Sequence, residues 1–126
     1  MEINGVLTGR IIHGFYNVYN TLGCGFLEKV YENALKVELE SDGLRVETQR
    51  PIQVMYKGVV IGQYYADMFV EDCILVEIKS VNKLVKEHES QLINYLVATK
   101  TELGLILNFG PVPGIMRKVN TFNRNT

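Results

Sequence analysis

The chain has 126 residues, of which 47% are apolar and 21% charged, and its formal net charge is −1. This composition predicts one globular domain over residues 1–126, and it excludes a second domain and a membrane span of about 20 continuous apolar residues. The near-neutral charge also excludes the overall basic excess by which many nucleic-acid binders release counterions. The first residues do not show the basic segment followed by an apolar run that is typical of a secretory signal, so we expect a cytoplasmic protein. In that setting, Cys24 and Cys73 are expected to be free thiols.

The first two predicted elements are helices. Apolar residues recur at helical spacing from about residue 6 to residue 22, and the glycines of the following LGCG segment end this helix. A second apolar stripe runs from about Phe26 to Ser41. Glu28 lies in its first turn, where a carboxylate gains from the helix dipole, and Tyr31 taken alone is a core aromatic residue.

Three strands in an antiparallel meander are predicted next. The first covers about residues 44–57, where Pro51 indicates an edge position or a bend. The second runs from Val59 to Val70, and a tight turn at Glu71 and Asp72 leads into the third, whose apolar residues alternate up to Ile78.

Three charged residues interrupt the apolar pattern of the last two strands. Glu77 and Lys79 are two residues apart, so their side chains share a face, opposite the apolar residues between them. Asp67 joins them if the turn is a three-residue loop, which places Asp67 across from Glu77, whereas a two-residue loop puts it on the other side. Alone, a Glu-x-Lys tripeptide is usually a solvated surface pair.

Two neighbouring carboxylates repel each other at neutral pH unless one is protonated or a cation lies between them. Mg²⁺ and Mn²⁺ prefer oxygen ligands, commonly one or two carboxylates together with water, carbonyls and substrate phosphate. Asp67 and Glu77 therefore predict a magnesium or manganese site. Lys79 beside them could orient or deprotonate a metal-bound water, or neutralise charge on a phosphate.

A third helix is predicted from about residue 83 or 86 to residue 99. His88, Gln91 and Tyr95 are spaced three and four residues apart on it, which makes a polar ridge beside an apolar one. Such side chains can hold a phosphate, a metal-bound water or a ligand carboxylate, and they can equally be boundary residues.

The chain then returns to strands. The nearly all-apolar run Leu103–Phe109 suits a strand buried on both faces, and the helix before it predicts a β-α-β crossover. A last edge strand is predicted from Ile115 to Phe122, followed by a polar tail.

The order of these motifs resembles that of the PD-(D/E)XK nuclease superfamily. A helix with Glu28 precedes Asp67, then Glu77–Lys79 (EIK), and then Gln91–Tyr95 (QLINY), which is similar to the Q-x-x-x-Y motif of the RecB-like branch. The chain also resembles the small bacterial proteins of the GxxExxY family, for which Gly25–Tyr31 (GFLEKVY) is the naming motif. The likeness covers nearly the whole chain.

The resemblance implies a restriction-endonuclease-like α/β fold. Its core would be a mixed sheet of four or five strands flanked by helices, in the order α-β-β-β-α-β. It also implies that Asp67, Glu77 and the main-chain carbonyl of Ile78 bind the metal, that Lys79 is the catalytic lysine, and that Glu28 supports the metal or its water.

The resemblance places further residues at the site. Gln91 and Tyr95 would line its substrate side, with His88 on the same helix as a secondary candidate. Tyr31 belongs to the naming motif, which does not separate a structural from a catalytic use. Tyr19 stands where many relatives have a histidine that can join the metal shell.

We therefore expect a Mg²⁺- or Mn²⁺-dependent nuclease acting on DNA or RNA, without membrane association. A homodimer that places two sites along a duplex is compatible with so short a chain. The alternative from another class is a non-catalytic nuclease-fold module that binds within a nucleic-acid-processing complex. In a purely structural alternative, Asp67, Glu77 and Lys79 form a buried salt-bridge cluster, which leaves an excess buried carboxylate.

Overall fold

The computed structural model describes residues 4–120. Its elements, in chain order, are helices α1 (Gly5–Leu22) and α2 (Glu28–Ser41), strands β1 (Val46–Tyr56), β2 (Val59–Val70) and β3 (Ile74–Lys79), helix α3 (Lys86–Thr99), and strands β4 (Leu103–Asn108) and β5 (Gly114–Val119). The predicted succession of elements is confirmed. The main shifts are that α2 begins two residues later than predicted and β1 begins at Val46. The end of the predicted last strand and the polar tail lie outside the described residues.

The five strands form one mixed sheet in the order β1-β2-β3-β4-β5. Neighbouring strands are antiparallel except β3 and β4, which are parallel and are joined through α3. The predicted meander and the β-α-β unit are therefore both present. Every residue of β4 is buried, as its apolar run predicts, because it lies between β3 and β5 with helices on both faces.

The helices cover the two faces of the sheet, and the alternation of β3 assigns each face. Ile74, Val76 and Ile78 belong to the core cluster that contains the buried residues of α1 and α2. Leu75 belongs to the second core cluster, under Leu92 and the other buried residues of α3. Since Glu77 and Lys79 have the same parity as Leu75, the strand presents both toward the α3 side.

Helix α3 approaches the sheet closely over Gly104 of β4. A Cβ atom built on Gly104 would lie 2.8 Å from Leu92 Cδ1 and 3.0 Å from Leu96 Cδ2, which is too close for an unshifted contact. The absence of a side chain at this position thus sets how closely α3 packs on the sheet next to Leu75, the β3 residue that pairs with Gly104.

No helix within residues 4–120 has the length and the apolar composition needed to cross a membrane.

Candidate active site

The turn between β2 and β3 fixes the position of Asp67. Val70 pairs with Ile74 and Met68 with Val76, so three residues form the loop. Glu71 and Asp72 in this loop have φ angles of 53° and 57°, in the left-handed region that tight hairpin turns use. Continuing this register by one residue places Asp67 across from Glu77. Of the two registers compatible with the sequence, the structure therefore has the one that brings the carboxylates together.

The side chains of Asp67 and Glu77 each accept a hydrogen bond from a main-chain amide of the opposite strand. The Asp67 amide donates to Glu77 Oε2 at 3.0 Å, and the Ile78 amide donates to Asp67 Oδ2 at 2.8 Å. Within the described chain, ladder pairing of β2 with β3 ends at Met68 and Val76, although both strands continue. The carboxylates thus take the place of ladder acceptors at the point where the two strands separate, which we call the strand fork.

Burial makes ionisation of this pair unfavourable. Glu77 is only 6% exposed. Its desolvation, followed by the charge of Asp67, raises the pKa of Glu77 to about 8, although the Asp67 amide and Lys79 act in the opposite direction. Desolvation also raises the pKa of Asp67, with a further contribution from the charge of Glu32, against the lowering effect of the Ile78 amide. The fork is therefore short of positive charge.

Lys79 connects the fork to α3. Its Nζ lies 3.5 Å from Gln91 Oε1, and Gln91 Nε2 donates to the Tyr95 hydroxyl at 3.2 Å. Burial raises the pKa of the Tyr95 hydroxyl, and the charge of Glu77 adds to this effect. The structure thus brings the lysine, the amide and the phenol into one polar chain beside the carboxylates.

Glu28 reaches the site from the first turn of α2. Its Oε2 accepts a hydrogen bond from the Ser80 amide at 3.2 Å, just past the end of β3. Its charge contributes to the raised pKa of both Asp67 and Glu77, so it adds to the negative potential of the fork.

Tyr31 lies in the core rather than at the solvent side of the fork. Its side chain is fully buried, and its ring stacks on that of Phe109 with 4.4 Å between centroids. The hydroxyl donates to the Gly23 carbonyl at 2.6 Å and accepts from the Phe26 amide at 3.2 Å. These contacts hold the segment that leads into Glu28.

The two remaining candidates also have main-chain partners. The Tyr19 hydroxyl lies 2.9 Å from the Gly110 carbonyl and 3.0 Å from that of Pro111, so it ties α1 to the loop after β4. His88 Nδ1 accepts from the Val85 amide at 3.0 Å, which satisfies a donor at the start of α3. Neither contact brings these side chains to the carboxylate pair.

Comparison with known proteins agrees with this fold. The profile of the PD-(D/E)XK nuclease superfamily matches residues 6–119. The chain belongs to the PD-(D/E)XK nuclease superfamily. Among solved structures it is similar to the crystal structure of SSO0001, with a TM-score of 0.57 and 19% sequence identity. That similarity covers 75% of this chain and 50% of the other, so the chain spans about half the length of that structure. No curated protein matches.

Two residues near the candidate site were given no role there in the sequence analysis. Glu32, one turn after Glu28, is only 4% exposed and bonds Lys29 at 2.7 Å and Gln49 at 2.9 Å. Its charge acts on Asp67. The signal in the sequence was a glutamate on the apolar stripe of α2, next to Tyr31.

Asn108 was the second. It is 2% exposed, and its side-chain amide bonds both the amide and the carbonyl of Val81 at 2.9 Å. It thereby holds the segment that follows Lys79. A lone polar residue at the end of an apolar strand was the sequence signal.

The chemistry of the fork fits a divalent cation. PD-(D/E)XK nucleases generally use such ions, and Mg²⁺ is commonly held by only one or two carboxylates with water in the rest of the shell. In the described residues no group of three or more His, Cys, Asp and Glu side chains is placed to hold a metal, and the fork accordingly offers two. The raised pKa of Glu77 means that its ionisation is unfavourable in the metal-free fold, and a bound cation would stabilise the ionised carboxylate.

Proposed function

We propose that this protein is a Mg²⁺- or Mn²⁺-dependent nuclease that hydrolyses phosphodiester bonds of DNA or RNA. The observation that carries the proposal is the strand fork, where the buried carboxylate of Glu77 and the partly buried carboxylate of Asp67 face one site with Lys79 beside them. Keeping two carboxylates in a desolvated position is unfavourable without a cation, so a structural salt-bridge cluster explains this arrangement poorly.

In this proposal, Asp67, Glu77 and the carbonyl of Ile78 would hold the ion. The amide of Ile78 already bonds Asp67, and the amide and carbonyl of one strand residue point to the same side of the strand. A bound divalent cation would supply positive charge that activates water and stabilises the phosphate in the transition state.

The other residues act on the substrate and on water. The Lys79 ammonium, next to Gln91, would orient the attacking water or balance charge on the phosphate oxygens. Gln91 and Tyr95 would fix the substrate side of the site through their shared hydrogen bond. Glu28 of α2, whose carboxylate lies beside the end of β3, would orient water by accepting a hydrogen bond from it.

We also infer a place within the superfamily. The segment Gly25–Tyr31 supports the GxxExxY family of small bacterial proteins, and Gln91–Tyr95 supports the RecB-like branch. A cytoplasmic location is the setting that follows for such an enzyme.

The test combines metal binding and cleavage. Mn²⁺ would be titrated calorimetrically into the wild type, into Glu77→Gln and into the control Glu40→Gln, whose exposed carboxylate pairs with Lys36 on α2. The same proteins would be incubated with end-labelled single- and double-stranded DNA and RNA. We expect the wild type and the control to bind Mn²⁺ and to cleave at least one substrate, and Glu77→Gln to do neither.

A second variant separates the roles. Lys79→Met should retain Mn²⁺ binding and lose cleavage. Metal binding by the wild type without cleavage of any substrate would refute the nuclease and favour the binding module. No metal binding by the wild type would refute the metal site itself.

A further inference from the structure

The outer half of the β1–β2 hairpin stands away from the rest of the sheet. Strand β2 pairs with β1 along residues 59–70, whereas in the described chain it pairs with β3 only at residues 68–70. A groove of about 1070 Å³ lies between this hairpin arm and α3. The arm lines it with Gln53, Met55 and Tyr64.

The groove opens onto the candidate active site. Gln91 and Tyr95 line it, and Gln91 is the residue that contacts Lys79. A ligand in the groove would therefore lie next to any phosphate held at the strand fork. A protein segment in the same place would obstruct the substrate side of the site, so the position favours the substrate itself.

Aromatic and apolar side chains give the groove surfaces on which flat rings can stack. Tyr64 is 50% exposed, and its ring centroid lies 5.7 Å from that of Tyr95. Met55 and Val97 are half exposed on the two sides of the groove. Stacking on aromatic side chains is how proteins bind unpaired bases, since every base has a π face.

The polar lining fits bases better than a duplex backbone. Gln53, Asn94 and Ser90 offer uncharged hydrogen-bonding groups, while the groove's charged residues are Lys86, Lys100 and Glu87. The groove lining therefore has a net charge of +1, whereas binding a duplex backbone requires several cationic side chains. Amide side chains can bond the exposed edges of bases that are not paired.

We propose that the groove between the hairpin arm and α3 binds unpaired bases of the nucleic-acid strand whose phosphate enters the strand fork. The inference rests on the proposed nuclease function and specifies its substrate as single-stranded at this point. The groove volume of about 1070 Å³ slightly exceeds the roughly 300–1,000 Å³ of pockets for drug-sized ligands, which is room for one or two nucleotides.

The test uses the lack of tryptophan in the chain. Tyr64→Trp places one fluorophore in the groove. Tyr65→Trp is the matched control, since Tyr65 is 51% exposed on the same strand and is not part of the groove lining. Both changes would be made in the Lys79→Met background with Mn²⁺, so that 12-nucleotide single strands of DNA and RNA stay intact. We expect quenching by one or both single strands for Tyr64→Trp alone, and little by the matching duplexes.

Binding measurements supply a second test. Tyr64→Ala should weaken binding of a fluorescein-labelled single strand about tenfold, in line with the cost of losing one stacking partner, while Tyr65→Ala leaves it unchanged. Val97→Glu approaches the groove from α3 and should weaken binding as well, with Val37→Glu on the exposed surface of α2 as its control.

Three outcomes would overturn the inference. They are equal quenching in both tryptophan variants, a duplex bound as tightly as the single strand, and a change in oligomeric state on Tyr64→Ala in place of a loss of nucleic-acid affinity. If the wild type cleaves and the Tyr64 variants behave as controls, the nuclease stands and the groove fails. If the groove binds single strands but nothing is cleaved, the proposed nuclease fails and the groove stands as a binding site.

Discussion

Replacing Glu77 by glutamine should make the metal-free protein more stable at alkaline pH. The pKa of Glu77 is about 8 in the folded chain, compared with an ordinary value of 4.5. The folded state therefore binds more protons than the unfolded state between these two values. Its stability is full below pH 4.5 and decreases as the pH rises through 8.

The size of this effect follows from the same two values. At 1.36 kcal/mol per pH unit, complete ionisation of Glu77 costs the folded state about 5 kcal/mol, a large part of a typical domain's stability. Glutamine has no charge to desolvate, and its carbonyl oxygen can still accept the bond from the Asp67 amide. The variant should therefore lose most of the pH dependence between pH 5 and pH 9.

Urea unfolding with EDTA, at pH steps from 5 to 9, measures this effect. Glu40→Gln serves as the control, because a surface ion pair contributes little. We expect the free energy of unfolding to fall with pH in the wild type and the control and to stay nearly level in Glu77→Gln. Parallel curves for all three proteins would refute the desolvated-carboxylate argument. Mg²⁺ should restore wild-type stability most strongly near pH 8, because the ion binds the ionised form.

Three further predictions concern residues that position the site. Tyr31→Phe should cost about 1–3 kcal/mol in chemical denaturation, because the Gly23 carbonyl loses its donor, and an unchanged midpoint would contradict this. Asn108→Asp should lower cleavage and thermal stability, since a carboxylate cannot donate to the Val81 carbonyl, and retention of both would show that the bond is dispensable. Gly104→Ala should lower the free energy of unfolding by about 1–3 kcal/mol, because the added methyl group would press on Leu92 and Leu96 of α3. Gly9→Ala is the control, since a Cβ atom there meets no atom within 4 Å. Equal stability of the two variants would argue against the close approach of α3.

The sequence predicted the sheet well because its signals are local. Alternation in β3 and the apolar run of β4 each follow from burial on known faces, and the helix between them requires a parallel pair. The bounds of β2 were also correct. Helix ends were predicted less accurately. Helix α2 was predicted from Phe26 but begins at Glu28, because neither the glycines before Phe26 nor Leu27 after it marks the first turn.

The candidate site was only partly accessible in this way. The pairing of Asp67 with Glu77 depended on a loop length that the residues left open, because Glu71 and Asp72 tolerate either turn. Glu32 and Asn108 act through partners 17 and 27 residues away, and no spacing rule reveals such contacts. The groove likewise depends on how far the β1–β2 arm extends beyond β3.

The strand fork makes the backbone depend on two carboxylate side chains. The amides of Asp67 and Ile78 are satisfied by the two carboxylates and not by the facing strand. Truncation to alanine would thus remove an acidic group and also leave a partly buried main-chain donor without its acceptor. A variant without these acidic groups would need isosteric amides at both positions, or a different pairing of the two strands, to keep the two amides hydrogen-bonded. The architecture of the sheet therefore favours hydrogen-bond acceptors at positions 67 and 77 whatever chemistry these residues carry out.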